Sequence, residues 1–343
     1  MRLALRKFYF KHKKFATTIS IILTVIILIL AFFLSTFIPK APDTNYNSEV
    51  SQNNQYIQEQ TMVSAHRAGA TIAPENTMKS FKTCFENNNS YKVDILEFDL
   101  HITKDNKLIL LHDDTLDRTS DCVEVYNEKN VKPENYTYAE LLKYNLGYNF
   151  IDENGNYPYR EEDIDLTDCK VVSLDNVFTY IQTIVTGIWH TDLKYIIEIK
   201  NGGELGLKAT DILVETIKSY NLLDSVIIGT FQGEVTQYLD KKYPEVTRSS
   251  SVSEVLDFYF SCMFNVDLTK KDIKYKVLQI PDDDFVINFG KKSIVDYAHK
   301  YGIAVQYWTI NKEKDIKHLQ EIGADAIMSD NPELAYKVLN NLD

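Results

Sequence analysis

From residue 62 onward, short apolar runs alternate with longer stretches in which apolar residues recur every three or four positions. The runs predict strands at 62–66, 94–100, 107–112, 195–200, 225–230, 246–250, 276–280, 303–308 and 325–328. The helical period predicts helices between many of them, among them 76–87, 174–187, 206–220, 291–301 and 312–322. Such alternation points to a parallel α/β fold, because parallel strands need a long crossover that a helix supplies.

Nine strands are one too many for a (β/α)8 barrel. The surplus is explained between LEFDLHIT and KLILLHDD, where the connection KDNK leaves no room for a helix. Asp105-Asn106 suits a two-residue hairpin turn, so 107–112 reads as the return arm of the second strand. Paired about that turn, Lys104 faces Lys107 and Asp99 faces His112. Glu97, Asp99 and His112 then share one face, and a slip of one residue would turn each side chain over. Eight barrel strands remain. Residues 113–172 are polar and rich in Tyr and Asn, with NYTYAELLKYNLG as one expected helix. They read as an insertion after strand two, inside a barrel domain spanning 61–343, on the face where loops shape active sites.

The N-terminal part follows another pattern. Residues 16–38 carry no charge, and a 23-residue helix would span roughly 34 Å, enough for a bilayer core. The run is longer than the apolar segment of a secretory signal, so a transmembrane helix is expected rather than a cleaved leader. Residues 1–15 are basic, which places the N-terminus in the cytoplasm and the barrel outside, on the cell membrane. Residues 39–60, rich in Asn, Gln and Ser with Pro39 and Pro42 at the start, read as a tether.

Charge changes the picture in one respect. The net charge is −12, while residues 1–14 alone contribute +6, so the remainder carries −18. An acidic body argues against nucleic acid, whose phosphates are held by Lys and Arg. The cysteines, Cys84, Cys122, Cys169 and Cys262, lack zinc-site spacing. Cys122 and Cys169 could close one disulfide, or all four could be free.

In a parallel barrel, the C-terminal strand ends hold the chemistry. Strand one ends at His66-Arg67. Strand two carries Glu97 and Asp99, and its return arm brings His112. YIIEIK offers Glu198 and Lys200 at period two, and strand seven ends near Trp308. Singly, each has a plainer reading as a strand's wet face, a capped histidine or a cross-strand ion pair. Together they map to one rim. Glu97, Asp99 and Glu198 are hard oxygen ligands suited to Ca²⁺ or Mg²⁺. Arg67 and Lys200 beside such an ion point to a phosphate group. His66 and His112 suit general acid and base work near neutral pH. The expected site is one of metal-assisted phosphodiester cleavage.

HRAGATIAPENT, LEFDLHITKDNKLILLHDDTLDRT, IIEIK, GTF, YWTIN and GADAIMSDNP, in that order over residues 62–340, resemble the glycerophosphodiester phosphodiesterase family. The resemblance implies a (β/α)8 barrel with an insertion after strand two. It also implies metal-dependent hydrolysis of glycerophosphodiesters to glycerol 3-phosphate and an alcohol. It gives His66 and His112 the acid–base pair, Glu97, Asp99 and Glu198 the metal, Arg67 and Lys200 the phosphate, and Trp308 a place in the substrate pocket. In the implied mechanism the substrate's 2-hydroxyl attacks phosphorus and water opens the resulting cyclic phosphate. Alternatives stay open: lysophospholipase D-like activity on lysolipids, favoured if 113–172 hold an apolar groove; a lyase stopping at the cyclic phosphate; or a barrel that binds without cutting. The family often has His-Arg-Gly where this chain has Ala68 before Gly69. Ala is tolerated there unless the backbone needs a positive φ. The leaving alcohol, Ca²⁺ against Mg²⁺, the role of each histidine and the oligomeric state are not legible.

Overall fold

The computed structural model describes residues 24–26, 54–86, 90–161, 164–185, 192–283 and 287–342. Its strands are β1 Met62–Ala65, β2 Ile95–Ile102, β3 Leu108–Leu110, β4 Lys194–Ile199, β5 Val226–Gly229, β6 Val277–Ile280, β7 Ala304–Tyr307 and β8 Ala326–Ser329. The parallel strands run β5-β4-β2-β1-β8-β7-β6, with β3 antiparallel on β2. The two ends of that row meet through 247–250. Ile228 N–H donates to Thr247 O, Ser249 N–H to Ile228 O, and Ser250 N–H to Val277 O. The fifth barrel position is thus filled by bridges at Arg248 and Ser249. Arg248 is buried and its guanidinium is shared by Asp240 and Glu254, which fixes this short crossing in place.

Helices cover the outside: α1 Met78–Phe85, α2 Tyr138–Leu141, α3 Leu174–Val185, α4 Gly203–Ser219, α5 Gly233–Lys242, α6 Val252–Met263, α7 Lys292–Lys300, α8 Glu313–Glu321 and α9 Pro332–Leu339. Side-chain alternation divides each strand. Along β2 and β4, Leu96, Phe98, Leu100, Tyr195, Ile197 and Ile199 join the layer beneath the helices. Ile95 and Ile196 point inward and join Met62, Ile227, Val277, Ala304 and Ala326 in an apolar floor. Above that floor the inward positions turn polar, and the site begins there.

Two expectations need correction, and one open alternative is decided. The hairpin turn has three residues rather than two. Asn106 takes a left-handed φ of 64°, and Thr103 N–H donates to Lys107 O across the turn. The register is therefore Leu100 opposite Leu110, one residue from that expected. The expected pairing of Asp99 with His112 is replaced by Leu111 N–H donating to Asp99 O. His112 reaches the site because β3 has already ended at Leu110. Strand β1 is short enough to leave the upper edge of β2 free for β3, since it pairs only as far as Leu96. The expected helix over 135–147 shrinks to the four residues of α2, held by a Thr137–Glu140 capping box. Cys122 and Cys169 are buried thiols that are not bridged to one another.

The expected anchor at 16–38 lies outside the described residues except for Thr24–Ile26. Among the described residues no helix is long and apolar enough to cross a membrane. The longest of them, α4, has 17 residues and is amphipathic, with Glu204, Lys208, Asp211 and Glu215 along it. The expected single-pass chain with an extracytoplasmic domain is therefore not supported by the described residues.

The last part of the expected tether also behaves otherwise. Asn54 donates to Lys276 O at 2.8 Å and Gly302 O at 2.9 Å. Tyr56, 1% exposed, packs into the apolar floor and its hydroxyl reaches Asp224 O. This segment plugs the end of the barrel opposite the site. Tyr56→Ala should cost about 3–5 kcal/mol, as for other buried aromatic truncations. Urea unfolding measures it, and a loss below about 1 kcal/mol would remove Tyr56 from the core.

Candidate active site

The cavity at the C-terminal ends of the strands has a volume of about 140 Å³. His66, Arg67, Glu97, Asp99, His112, Glu198, Lys200 and Trp308 all line it. The structure thus brings together all eight residues singled out from the sequence.

Glu97, Asp99 and Glu198 come from β2 and β4, where Asp99 is the register partner of Glu198 and Glu97 sits two residues below on the same face. One carboxylate oxygen from each lies within 4.8 Å of the others. Glu97 is 3% exposed and Asp99 1%. Burial, then the charge of Asp99, raises the carboxyls of Glu97 and Glu198. The cluster is short of positive charge. Lys200 supplies part of it, 2.9 Å from Glu198 and 3.5 Å from Asp99. Burial alone would lower the Lys200 ammonium, but Asp99 and Glu198 raise it. Arg67 supplies more, with Nε 3.9 Å from Asp99. That Nε is buried without a hydrogen-bond partner. Hard oxygens, no thiolate and an uncompensated buried charge fit a divalent cation of the Ca²⁺ or Mg²⁺ kind.

The turn after β1 carries His66 and Arg67 to this cluster. Arg67, Ala68 and Gly69 take φ of 50°, 59° and 91°. Position 68 does need a positive φ, so Ala68 sits in a conformation that costs an L-residue about 1–2 kcal/mol. Contacts on both sides hold it there. Gly69 N–H donates to His66 O, and Arg67 N–H donates to Glu97 at 2.7 Å.

Each histidine is tied through Nδ1 to a carboxylate. His66 Nδ1 is 2.6 Å from Asp330, which Asn311 holds from its other oxygen. His112 Nδ1 is 2.7 Å from Asp113. An ionised carboxylate only accepts, so the proton sits on Nδ1 and Nε2 is left for chemistry. Burial opposes charging of His66, but Asp330 and Glu97 raise it.

Sequence reasoning gave no role to several residues that hold this arrangement. Asn76 donates to Asp99 at 2.9 Å, and Thr77 caps α1. Glu75, Asp113, Arg118 and Asp330 lie inside PENT, HDDTLDRT and SDNP, so their signal was present as motif and absent as chemistry. Apolar lining comes from Phe231, Val252 and Val255, not from 113–172. Phe231 stands edge-on to Trp308, with ring centroids 6.0 Å apart.

A parallel barrel with this site is that of a phosphodiesterase. The chain belongs to the glycerophosphoryl diester phosphodiesterase family, whose profile matches residues 66–334. It is 26% identical over 273 residues to a glycerophosphodiester phosphodiesterase of Caldanaerobacter subterraneus, covering 80% of this chain and 95% of that one. A lysophospholipase D of Rattus norvegicus is 22% identical over 303 residues, covering 81% and 86%. A phosphodiesterase from Oleispira antarctica, solved with the product sn-glycerol-3-phosphate, aligns with a TM-score of 0.60 at 20% identity, covering 82% and 97%. A glycerophosphoryl diester phosphodiesterase structure from Silicibacter pomeroyi, described as putative, aligns with a TM-score of 0.64 at 18% identity, covering 83% and 95%.

Glu75 offers a test of the electrostatics. Burial alone would raise its carboxyl, but Arg118 and Arg67 hold it below the ordinary 4.5. A depressed carboxyl stabilises the fold above its unfolded value, and that stability is lost as pH falls through the folded value. Glu75→Gln should therefore give a shallower fall in urea midpoint below pH 4.5 than the parent chain. Superimposable curves would contradict the pairing.

Proposed function

We propose that this chain hydrolyses glycerophosphodiesters to glycerol 3-phosphate and an alcohol, with a divalent cation held by Glu97, Asp99 and Glu198. The observation that carries the reading is the convergence of three carboxylates, two buried and one half-buried, with two histidines whose Nδ1 atoms are already committed. The cation would lower the pKa of a bound hydroxyl and offset charge at phosphorus. Arg67 and Lys200 bind the phosphate, and the orphaned Arg67 Nε is a donor awaiting an anion. One of His66 and His112 accepts the proton of the attacking hydroxyl through Nε2. The other donates a proton to the leaving alcohol as the P–O bond breaks. Asp330 and Asp113 stabilise the imidazolium formed in each case. Trp308 walls the substrate pocket.

A second substrate class has support from one feature. Phe231 and Val252 line the cavity yet are 56% and 54% exposed. An apolar rim of this kind suits a leaving group or acyl chain with hydrocarbon, as in lysoglycerophospholipids.

The full chain, incubated with glycerophosphocholine, glycerophosphoethanolamine, glycerophosphoglycerol and lysophosphatidylcholine, should release glycerol 3-phosphate or lysophosphatidic acid with Ca²⁺ or Mg²⁺ and none with EDTA. Release unaffected by EDTA would overturn the metal. No release from any of the four would overturn the hydrolase reading in favour of a barrel that binds and does not cut. His112→Ala should lower turnover by at least about 100-fold with the fold intact, the scale of a lost general acid or base. A near-normal rate would remove His112 from the acid–base pair.

A further inference from the structure

Arg118 lies on the excursion after β3, half-exposed, and outside the cavity lining. A guanidinium has five N–H donors. Four of them are spent on two carboxylates. Nε donates to Asp113 Oδ2 at 2.6 Å and Nη2 to Asp113 Oδ1 at 3.0 Å. Nη1 donates to Glu75 Oε2 at 2.9 Å and Nη2 to Glu75 Oε1 at 2.6 Å. Neither carboxylate ends there. Asp113 Oδ1 also accepts from His112 Nδ1 at 2.7 Å, and Glu75 Oε1 also accepts from Arg67 Nη1 at 3.0 Å.

The chain of contacts is therefore Arg67–Glu75–Arg118–Asp113–His112. It joins the two groups proposed to clamp the phosphate and to move the proton, one from the turn after β1 and the other from the segment after β3. We infer that Arg118 is a positioning residue that sets both at once, through Glu75 for Arg67 and through Asp113 for His112. The inference rests on the phosphodiesterase reading of the same site. The donor count argues against Arg118 itself being the phosphate ligand, since one N–H remains. Geometry also argues against a replaceable surface charge. A bidentate contact on each side requires a planar fork, and the point charge of Lys cannot span both carboxylates. Asp113 without Arg118 would keep one partner and be free to swing. Glu75 without it would leave Arg67 as its only cation.

The two arms make separable demands on kinetics. Glu75→Gln should raise KM and weaken binding of the product glycerol 3-phosphate, because it loosens the phosphate clamp. Asp113→Asn should lower kcat with KM little changed, because it loosens the proton carrier. Arg118→Ala should do both, by about 10- to 100-fold in kcat/KM, the scale of lost outer partners at such sites. Arg118→Lys should rescue little of it. In a His112→Ala background, Asp113→Asn should add no further loss, which a general weakening of the fold would not reproduce.

Arg118→Ala within about twofold of the parent on both constants would overturn the inference, and so would full rescue by Lys. An inactive parent chain would be the failure of the hydrolase reading instead. The positioning then stands or falls on two other readouts: the downfield Nδ1–H proton resonance of His112, and the dissociation constant for inorganic phosphate. Both should change in Arg118→Ala, and no change in either would overturn it.

Discussion

Three carboxylates set side by side at the mouth of the barrel repel one another, and much of the structure answers that repulsion. Glu97 and Asp99 are buried and Glu198 half-buried, so water screens them poorly, and they lie on adjacent strands whose register brings Asp99 level with Glu198. The Arg67 N–H and the Asn76 amide donate to them, and the Lys200 ammonium and the Arg67 guanidinium set positive charge beside Asp99. The turn after β1 accepts a left-handed Ala68 to deliver two of those donors. The remaining deficit of positive charge is the physical case for a divalent ion, and the ion is the case for a phosphate.

The barrel makes the arrangement affordable in energetic terms. Its inward positions are apolar at one end, where Tyr56 and the isoleucines of β2, β4 and β5 pack together. They become charged only at the other. A rigid floor fixes strand register, and register fixes carboxylate separation. Outward from the cluster, a second set of ion pairs orients the histidines and Arg67. These pairs sit on the turn after β1, the excursion after β3 and the end of β8, so distant parts of the chain share control of one cavity.

The sequence carried the strand–helix alternation and the polar positions at strand ends, because each is a local pattern with a fixed period. E-x-D on β2 and E-x-K on β4 had to face inward together if either did. The hairpin register was not legible, because the difference between a two- and a three-residue turn lies in the left-handed Asn106, not in hydrophobicity. The expected pairing brings His112 to the site by the wrong register; it reaches the site because β3 stops at Leu110. Cys122 and Cys169 gave no spacing signal that could decide between thiol and disulfide. The links through Glu75, Asp113, Arg118 and Asp330 run between irregular loop segments, two of them across 43 and 264 positions, which periodicity cannot see. The expectation of a membrane span at 16–38 rests on length and hydropathy alone, and no described helix is long and apolar enough to cross a membrane.

The claim on which the account turns is that the carboxylate cluster holds a cation. Titration calorimetry of Mg²⁺ and of Ca²⁺ into the metal-stripped full chain, repeated with Asp99→Asn, tests it without reference to turnover. The account expects one ion per chain, with affinity lowered at least about tenfold in the variant. Binding of neither ion, or equal binding by the variant, would contradict it.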